Sequence, residues 1–344
     1  MSVITLDALR NVTRIVYHSN CADGLSSALI CKAAFELINC ADLEYVPITY
    51  GVELETLDIR PGTLFVDMCP SKTNADKWVD VNPIVLDHHE SAKPIVAKFP
   101  NGVFGDSNYS GAMLAFEHVL STVRNELHIT KEIFDTWQNF ATLCMIYDTW
   151  KSTHKDWLPA CRLTTGLVTL GIDKLFKVLS NEKTNSVYEI NRVLDEAIQI
   201  GTPIFDDKLK QSEYYANNCL KFQVGHLNCA FVNVLGAPVS LTGNALIEKY
   251  GVDIAIFGCV APSKRPAKDG LTVMEWGLSF RSSDRFNVSK LGQRLWGGGH
   301  ARAGGGCYAG TSTNQLSNIT IQSSSVGDLL SVVEYCILSI VDEV

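Results

Sequence analysis

Six residues of types that hold divalent cations each lie in a short distinctive setting. They are His18 and Asp23 in YHSNCADGLSSA, Asp67 in FVDMCPS, His88 and His89 in LDHHESA, and Asp148 in MIYDTW. Singly, each has an ordinary structural use: a histidine closing a strand, an aspartate at a turn or helix end. Together, carboxylates and imidazoles suit hard or borderline ions such as Mn²⁺. A pair of such ions about 3.5–4 Å apart can clamp the attacking and leaving oxygens of a phosphoryl group and lower the pKa of a shared water. Hydrolysis of a phosphodiester is the chemistry this set would serve.

For that chemistry the residues must converge, and the surrounding pattern predicts that they do. Three short apolar, β-branched runs end in them: 15–17 runs into His18, 64–66 into Asp67, and 84–86 into Asp87, His88 and His89. Continuous apolar runs of this length fit strands buried on both faces of a parallel sheet. Helical patterns separate them, strongly at 25–37 and weakly at 74–79. The alternation predicts a doubly wound α/β domain, in which ligands bind beyond the carboxyl ends of the strands. Downstream, 111–120 reads as a helix, and Ile133, Trp137, Phe140, Ala141 and Cys144 recur at helical spacing before Asp148. The 172–215 stretch is helical in pattern, with Gly201, Thr202 and Pro203 as punctuation. Strand patterns return at 230–235, 253–260 and 271–281, with a helix at 243–250 and a turn-rich loop at 262–270. The second domain is therefore expected to be a smaller, mixed-sheet α/β domain. The expected boundaries are a catalytic domain over 1–190, a helical linker over 191–222 and a glycine-rich domain over 223–344.

Composition narrows the classes. A chain of 344 residues predicts two domains, and 46% hydrophobic with 19% charged residues suits packed cores rather than disorder. No apolar run reaches the length of a membrane span. The first residues carry no basic region followed by a long apolar stretch, so no secretory signal is expected. Eleven cysteines, an odd number without a CxxC pair, read as free thiols in a cytoplasmic setting. A net charge of −8 argues against coating long duplexes. Within 261–310, however, eight Lys/Arg stand against three Asp/Glu.

That basic stretch holds Arg281, Arg285, Lys290 and Arg294 and leads into a run, 297–306, with six glycines. Glycine permits backbone conformations whose successive N–H groups cradle an anion. Gly298, Gly299, His300 and Arg302 are the candidate contacts, with Arg281 suited to bidentate phosphate recognition. Lys264, Arg265 and Lys268 read as a solvated face. A small basic patch on an acidic chain favours short oligonucleotides, and no platform of aromatics for tracking a long strand is evident.

These motifs, in this order, resemble the DHH phosphoesterase superfamily with its associated C-terminal domain, which includes RecJ-like exonucleases, nano-RNases and cyclic-dinucleotide phosphodiesterases. The resemblance rests on His18 to Asp23-Gly24, Asp67, Asp87-His88-His89, Asp148, and the later Gly297-Gly298-Gly299-His300-Ala301-Arg302-Ala303-Gly304, and so spans nearly the whole chain. Ser110-Gly111-Ala112 and Asp148-Thr149-Trp150 resemble the branch of oligoribonucleases and cyclic-nucleotide phosphodiesterases.

The resemblance implies two divalent metal ions, Mn²⁺ foremost. His18 and Asp67 would hold one, and Asp23, Asp67, His88 and Asp148 the other, with Asp67 as the bridge. His89 would face the scissile phosphate as charge stabiliser or proton donor, and Asp87 would orient a histidine. The glycine-rich domain would bind the nucleotide end of the substrate. One departure stands out: the first motif of the family usually has two aspartates, and Cys21, beside Asn20, replaces the earlier one. Cys21 is then either a thiolate ligand or a small buried residue that leaves its ion to water and Asn20. The expected activity is that of a 3′-to-5′ exonuclease on short oligonucleotides. The alternatives are a phosphodiesterase of cyclic nucleotides or cyclic dinucleotides, a phosphatase of 3′-phosphoadenosine phosphate, and a nucleotide-binding protein with an impaired metal site. The substrate would be the main partner, with no membrane and no long duplex; a homodimer is left open.

Overall fold

The computed structural model describes residues 4–19, 21–38, 43–49, 52–126, 129–178, 186–234, 236–262, 272–308, 312–316, 319–323 and 325–341. Asn20, Lys264, Arg265 and Lys268 lie outside the described residues. The chain divides into two compact units, Met1–Phe205 and Asp206–Val344.

The first unit carries five strands: β1 (Arg14–His18), β2 (Glu44–Ile48), β3 (Thr63–Val66), β4 (Ile84–Asp87) and β5 (Gly102–Phe104). All pair in parallel, in the order β2-β1-β3-β4-β5. Helix α1 (Leu6–Arg10) precedes β1, and α2 (Ala22–Leu37), α3 (Val52–Thr56), α4 (Ala75–Val79) and α5 (Lys93–Val96) run between the strands in chain order. After β5 come α6 (Gly111–Ala115), which continues through a wider turn at Phe116–Leu120 into α7 (Ser121–Glu126), then α8 (Lys131–Asp148), α9 (Trp157–Leu170), α10 (Ile172–Val178) and α11 (Val187–Asn217).

The period-two alternation of a strand explains why the apolar runs are continuous. Ile15, Tyr17, Leu64, Val66, Ile84 and Leu86 enter the core formed with α2, α6, α8 and α9. Val16, Phe65 and Val85 enter a second core with Leu54, Trp78, Val96 and Phe99. Both faces are covered, so a polar residue has no place within these strands until they end. Pro47 falls in β2, an edge strand, where the missing N–H costs no internal ladder bond. At the amino end of β1 the buried Arg14 guanidinium is satisfied by Asp58 Oδ1 at 2.6 Å, the Asp58 carbonyl at 2.8 Å and Thr63 Oγ1.

The second unit holds β6 (Leu220–Val224), β7 (Leu227–Asn233), β8 (Ile254–Pro262), β9 (Thr272–Ser282), β10 (Gly298–Gly299), β11 (Ala303–Tyr308), β12 (Ser312–Leu316) and β13 (Ile319–Ser323). Six strands follow the order β10-β11-β9-β8-β7-β6, and β13, paired with β12, joins β9 in parallel. Parallel β7–β8 pairing beside antiparallel neighbours makes the sheet mixed. Helix α12 (Val239–Tyr250) shares a core with Ala230, Val232, Ala255 and Phe257. Residues of α13 (Val288–Arg294) and α14 (Val326–Val341) pack with Phe231, Ile256, Leu278 and Phe280. The α/β, two-domain expectation holds. No helix among the described residues is long and apolar enough to cross a membrane.

One expected break is absent. Gly201-Thr202-Pro203 lies inside α11. Pro203 forgoes one helical hydrogen bond, but tertiary packing holds the helix. A Cβ on Gly201 would collide with the Arg162 carbonyl, and one on Gly166 with the Ala197 carbonyl. Two glycines thus let α9 and α11 meet backbone to backbone.

Candidate metal centre

Strand register fixes the first site residues. Tyr17 pairs with Val66 and Val66 with Leu86, so His18, Asp67 and Asp87 leave the same carboxyl edge at one level. The strand order reverses direction between β1 and β3, and this is the crevice where α/β sheets bind ligands. Asp67 turns out of β3 in the left-handed region, φ 56°, with its N–H donating to the Leu86 carbonyl at 3.0 Å. That conformation is tolerable for aspartate and poor for bulky residues.

The side chains converge on Asp67. Its Oδ1 lies 3.2 Å from His88 Nε2, and its Oδ2 lies 3.5 Å from His18 Nδ1. His88 Nε2 is also 3.5 Å from Asp23 Oδ2 and 3.5 Å from Asp148 Oδ2. Two triads result: His18, Cys21 and Asp67 in one, Asp23, His88 and Asp148 in the other. Within each, one donor atom per residue lies within 4.8 Å of the others. The contact between Asp67 and His88 joins them. Cys21 sits with His18 and Asp67 rather than apart from the centre.

Supporting contacts aim these groups. Asp23 does not cap its own helix; Cys21 holds the N-cap position of α2. Instead the buried Asp23 carboxylate accepts the Gly111 N–H at 2.5 Å and the Ala112 N–H at 2.9 Å from the start of α6. Ser110 caps that helix by accepting the Met113 N–H. A Cβ on Gly24 would collide with the His18 carbonyl, so only glycine lets α2 begin this close to β1. Asp87 Oδ1 accepts both the His89 backbone N–H at 3.0 Å and His89 Nδ1–H at 2.7 Å. The other ring nitrogen, Nε2, is thereby directed away from Asp87.

Electrostatics show what the centre is suited to hold. Burial, then the charges of Asp67 and Asp148, push the Asp23 carboxyl well above its usual range. Burial and Asp67 raise Asp148 against the pull of His88. Burial opposes ionisation of Asp67, but His18 and His88 outweigh it and hold that carboxyl far below the usual range. Burial likewise works against charge on His88, yet Asp148, Asp67 and Asp23 lift it to about 10. His89 is raised in the same way, burial being overcome by Asp87. The Cys21 thiol is pushed well above its ordinary value by enclosure and by Asp67, Asp148 and Asp23. Crowded buried carboxylates are stabilised by protons or by cations. Asp67 Oδ2 is buried and accepts no hydrogen bond of good geometry. The donor set and this unsatisfied oxygen fit a pair of divalent cations held by Asp23, Asp67, His88 and Asp148 on one side and His18, Cys21 and Asp67 on the other.

Beyond Asp148, Trp150 of the Asp148-Thr149-Trp150 motif joins an aromatic group with Tyr147 and Trp157. The Tyr147 and Trp157 rings stack at 6.1 Å and 19°, and Trp150 meets Trp157 edge-on at 4.8 Å. Trp150 is half-buried and also left-handed, φ 53°. Three aromatics at 147, 150 and 157 were the available signal for this group.

In the second unit the glycine run is a hairpin, with Gly298 paired to Gly305 and Gly299 to Gly304. A Cβ on Gly299 would stand 2.5 Å from the Ala303 carbonyl oxygen, and one on Gly306 would stand 2.6 Å from that of Leu295. Close backbone packing therefore accounts for these glycines. His300, half-buried, occupies the hairpin turn, its N–H donating to the Ala303 carbonyl at 2.7 Å. Arg302 is exposed and ion-pairs with Asp284. Arg281 donates to Ser240 Oγ at 2.7 Å and packs in the space left by Gly243. Arg285 is engaged with the buried Asp253 at 3.0 Å, a structural ion pair.

No protein-family model matches the sequence, and a search of curated proteins finds no match. Solved structures do match. A DHH domain described as a member of the s1p family of ribosomal proteins aligns over 97% of this chain and 87% of its own, at 12% identity and TM-score 0.57. The exonuclease RecJ bound to manganese aligns over 87% and 86%, at 17% identity and TM-score 0.50. RecJ from Thermus thermophilus, in complex with Mn²⁺, aligns over 98% of this chain and 53% of its own, at 14% identity and TM-score 0.52. The chain has the two-domain α/β fold of the DHH-domain proteins.

Proposed function

We propose that this chain is a metal-dependent phosphodiester hydrolase acting as a 3′-to-5′ exonuclease on short oligonucleotides. The observation that carries the reading is the pair of ligand triads joined through Asp67 and His88 at 3.2 Å. A pair of divalent cations, when bound, supplies Lewis acidity toward a phosphoryl oxygen and a more acidic water. Asp67 offers one oxygen to each side. The α6 amides hold the Asp23 carboxylate in place. His89, its pKa raised and its ring oriented by Asp87, is assigned to stabilise charge on the phosphate or to donate a proton to the leaving oxygen. Arg281, His300, Arg302 and the Gly298-Gly299 backbone are assigned to binding the substrate's nucleotide end. The half-buried Trp150 edge supports a substrate with stacked bases. The manganese bound by RecJ, whose fold this chain shares, supports Mn²⁺ as the ion.

The test combines metal analysis with turnover. Under saturation with divalent cations we expect two ions per chain and stepwise loss of 3′ nucleotides from labelled RNA a few nucleotides long. A longer strand should be cut poorly. Turnover confined to cyclic AMP or cyclic di-AMP would replace the exonuclease reading with a cyclic-nucleotide one, and fewer than one ion per chain would end the hydrolase reading.

A further inference from the structure

The family's usual carboxylate is a cysteine here, and its surroundings say more than the substitution alone. Cys21 occupies the N-cap of α2 with φ −119° and ψ 135°, the extended conformation of a capping residue. N-caps are ordinarily Ser, Thr, Asp or Asn, whose side-chain oxygen accepts a helix N–H. Cys21 makes no capping bond of good geometry, and although the Gly24 N–H faces its sulfur, sulfur is a weak acceptor, so helix capping alone does not account for a sulfur at this position. Its Sγ lies instead within 4.8 Å of a donor atom of His18 and of Asp67. In that triad Asp67, 1% exposed, keeps Oδ2 buried without a hydrogen bond of good geometry. Donor atoms around a tetrahedral ion with sulfur, nitrogen and oxygen ligands sit roughly 3.5 Å apart, within reach of side-chain rotation.

From this we infer that Cys21 is a ligand, and that the ion at His18, Cys21 and Asp67 is a thiolate-accepting one of the Zn²⁺, Co²⁺ or Fe²⁺ class, beside a harder ion at Asp23, His88 and Asp148. The inference rests on the metal-centre reading and deepens it. Thiolate selects softer ions, whereas carboxylates accept Mn²⁺ and Mg²⁺ readily. The second triad contains no sulfur, so the two positions differ in kind and the centre is mixed. On binding, Cys21 releases its thiol proton to solvent, and a sulfur lone pair forms the new bond. No electron is transferred to or from the protein.

Cobalt titration of the whole chain tests this without reference to turnover. The wild-type protein should develop a near-ultraviolet sulfur-to-cobalt charge-transfer band. Cys21→Ser should lose that band and weaken Zn²⁺ binding by at least about tenfold, with Mn²⁺ binding at the other triad little changed. Cys21→Asp should also lose the band and shift the preference toward Mn²⁺; circular dichroism of both variants checks their fold. Cobalt bound by the wild type without the band, or unchanged Zn²⁺ affinity in Cys21→Ser, would overturn the thiolate assignment and leave the metal centre standing. Failure of all three proteins to bind any cation would overturn both.

Discussion

A Cβ placed on Gly111 would stand 2.5 Å from the Cβ of Asp67. The start of α6 is thus pressed against the carboxylate through which one triad meets His88 of the other, while its N–H groups hold Asp23.

Gly111→Ala therefore displaces Asp67, Asp23 or both. Overpacking should cost about 1–3 kcal/mol of stability, measurable by urea unfolding. Activity should suffer more, because displacements of about 1 Å at reacting groups cost on the order of a hundredfold. A variant whose kcat/KM at saturating Mn²⁺ stays within a few-fold of wild type would remove Gly111 from this positioning role.

Asp87→Asn tests the partnership with His89. Asp87 raises the His89 pKa, so the imidazolium persists to higher pH than it otherwise would. If protonated His89 assists the leaving group, activity falls as pH rises through that raised value. Asp87→Asn lowers the pKa, and the alkaline limb of the kcat/KM profile should move to lower pH, with a loss of about ten- to a hundredfold at the optimum. A limb that stays in place would assign Asp87 a structural role only.

Cation uptake should release protons. Without cations, Asp23 and Asp148 are raised and His88 stands at about 10, so the centre holds protons at neutral pH. Cations compete with those protons, so affinity should increase as pH rises toward the His88 value and decrease on acidification. Calorimetry in two buffers of different ionisation enthalpy reads the release directly. Equal apparent enthalpies in both buffers would contradict it.

Trp150→Ala should raise KM for oligonucleotides while leaving kcat nearly unchanged, by about 1–3 kcal/mol if one base stacks there. Trp150→Phe should recover most of the loss. A substrate with an abasic sugar at the reacting end should distinguish the two enzymes little. An equal loss on that substrate would make Trp150 a packing residue.

The sequence was readable where physics is local. An unbroken apolar run such as Leu64, Phe65 and Val66, or Ile84, Val85 and Leu86, announces a strand buried on both sides, and the first polar residue after such a run must lie at its end. His18, Asp67 and Asp87 were legible for that reason. Roles that depend on what packs opposite were hidden. Gly201 and Pro203 looked like a break because the Arg162 carbonyl that meets Gly201 lies 39 positions away in the chain. The crowding of Gly299 by the Ala303 carbonyl and of Gly306 by the Leu295 carbonyl was hidden as well, because the hairpin that brings those groups together is not announced by the glycine run itself. Asp23 resembled an ordinary turn residue, since nothing within its own segment announces the amides of Gly111 and Ala112.

The collision that any side chain at Gly24 would make with the His18 carbonyl has a mechanical consequence. The end of β1 and the start of α2 are thereby locked together, so a donor from each triad, His18 and Asp23, belongs to one stiff frame. Exchanging one cation for another should then proceed with the frame unmoved, and ion size would be discriminated by how far that frame refuses to give.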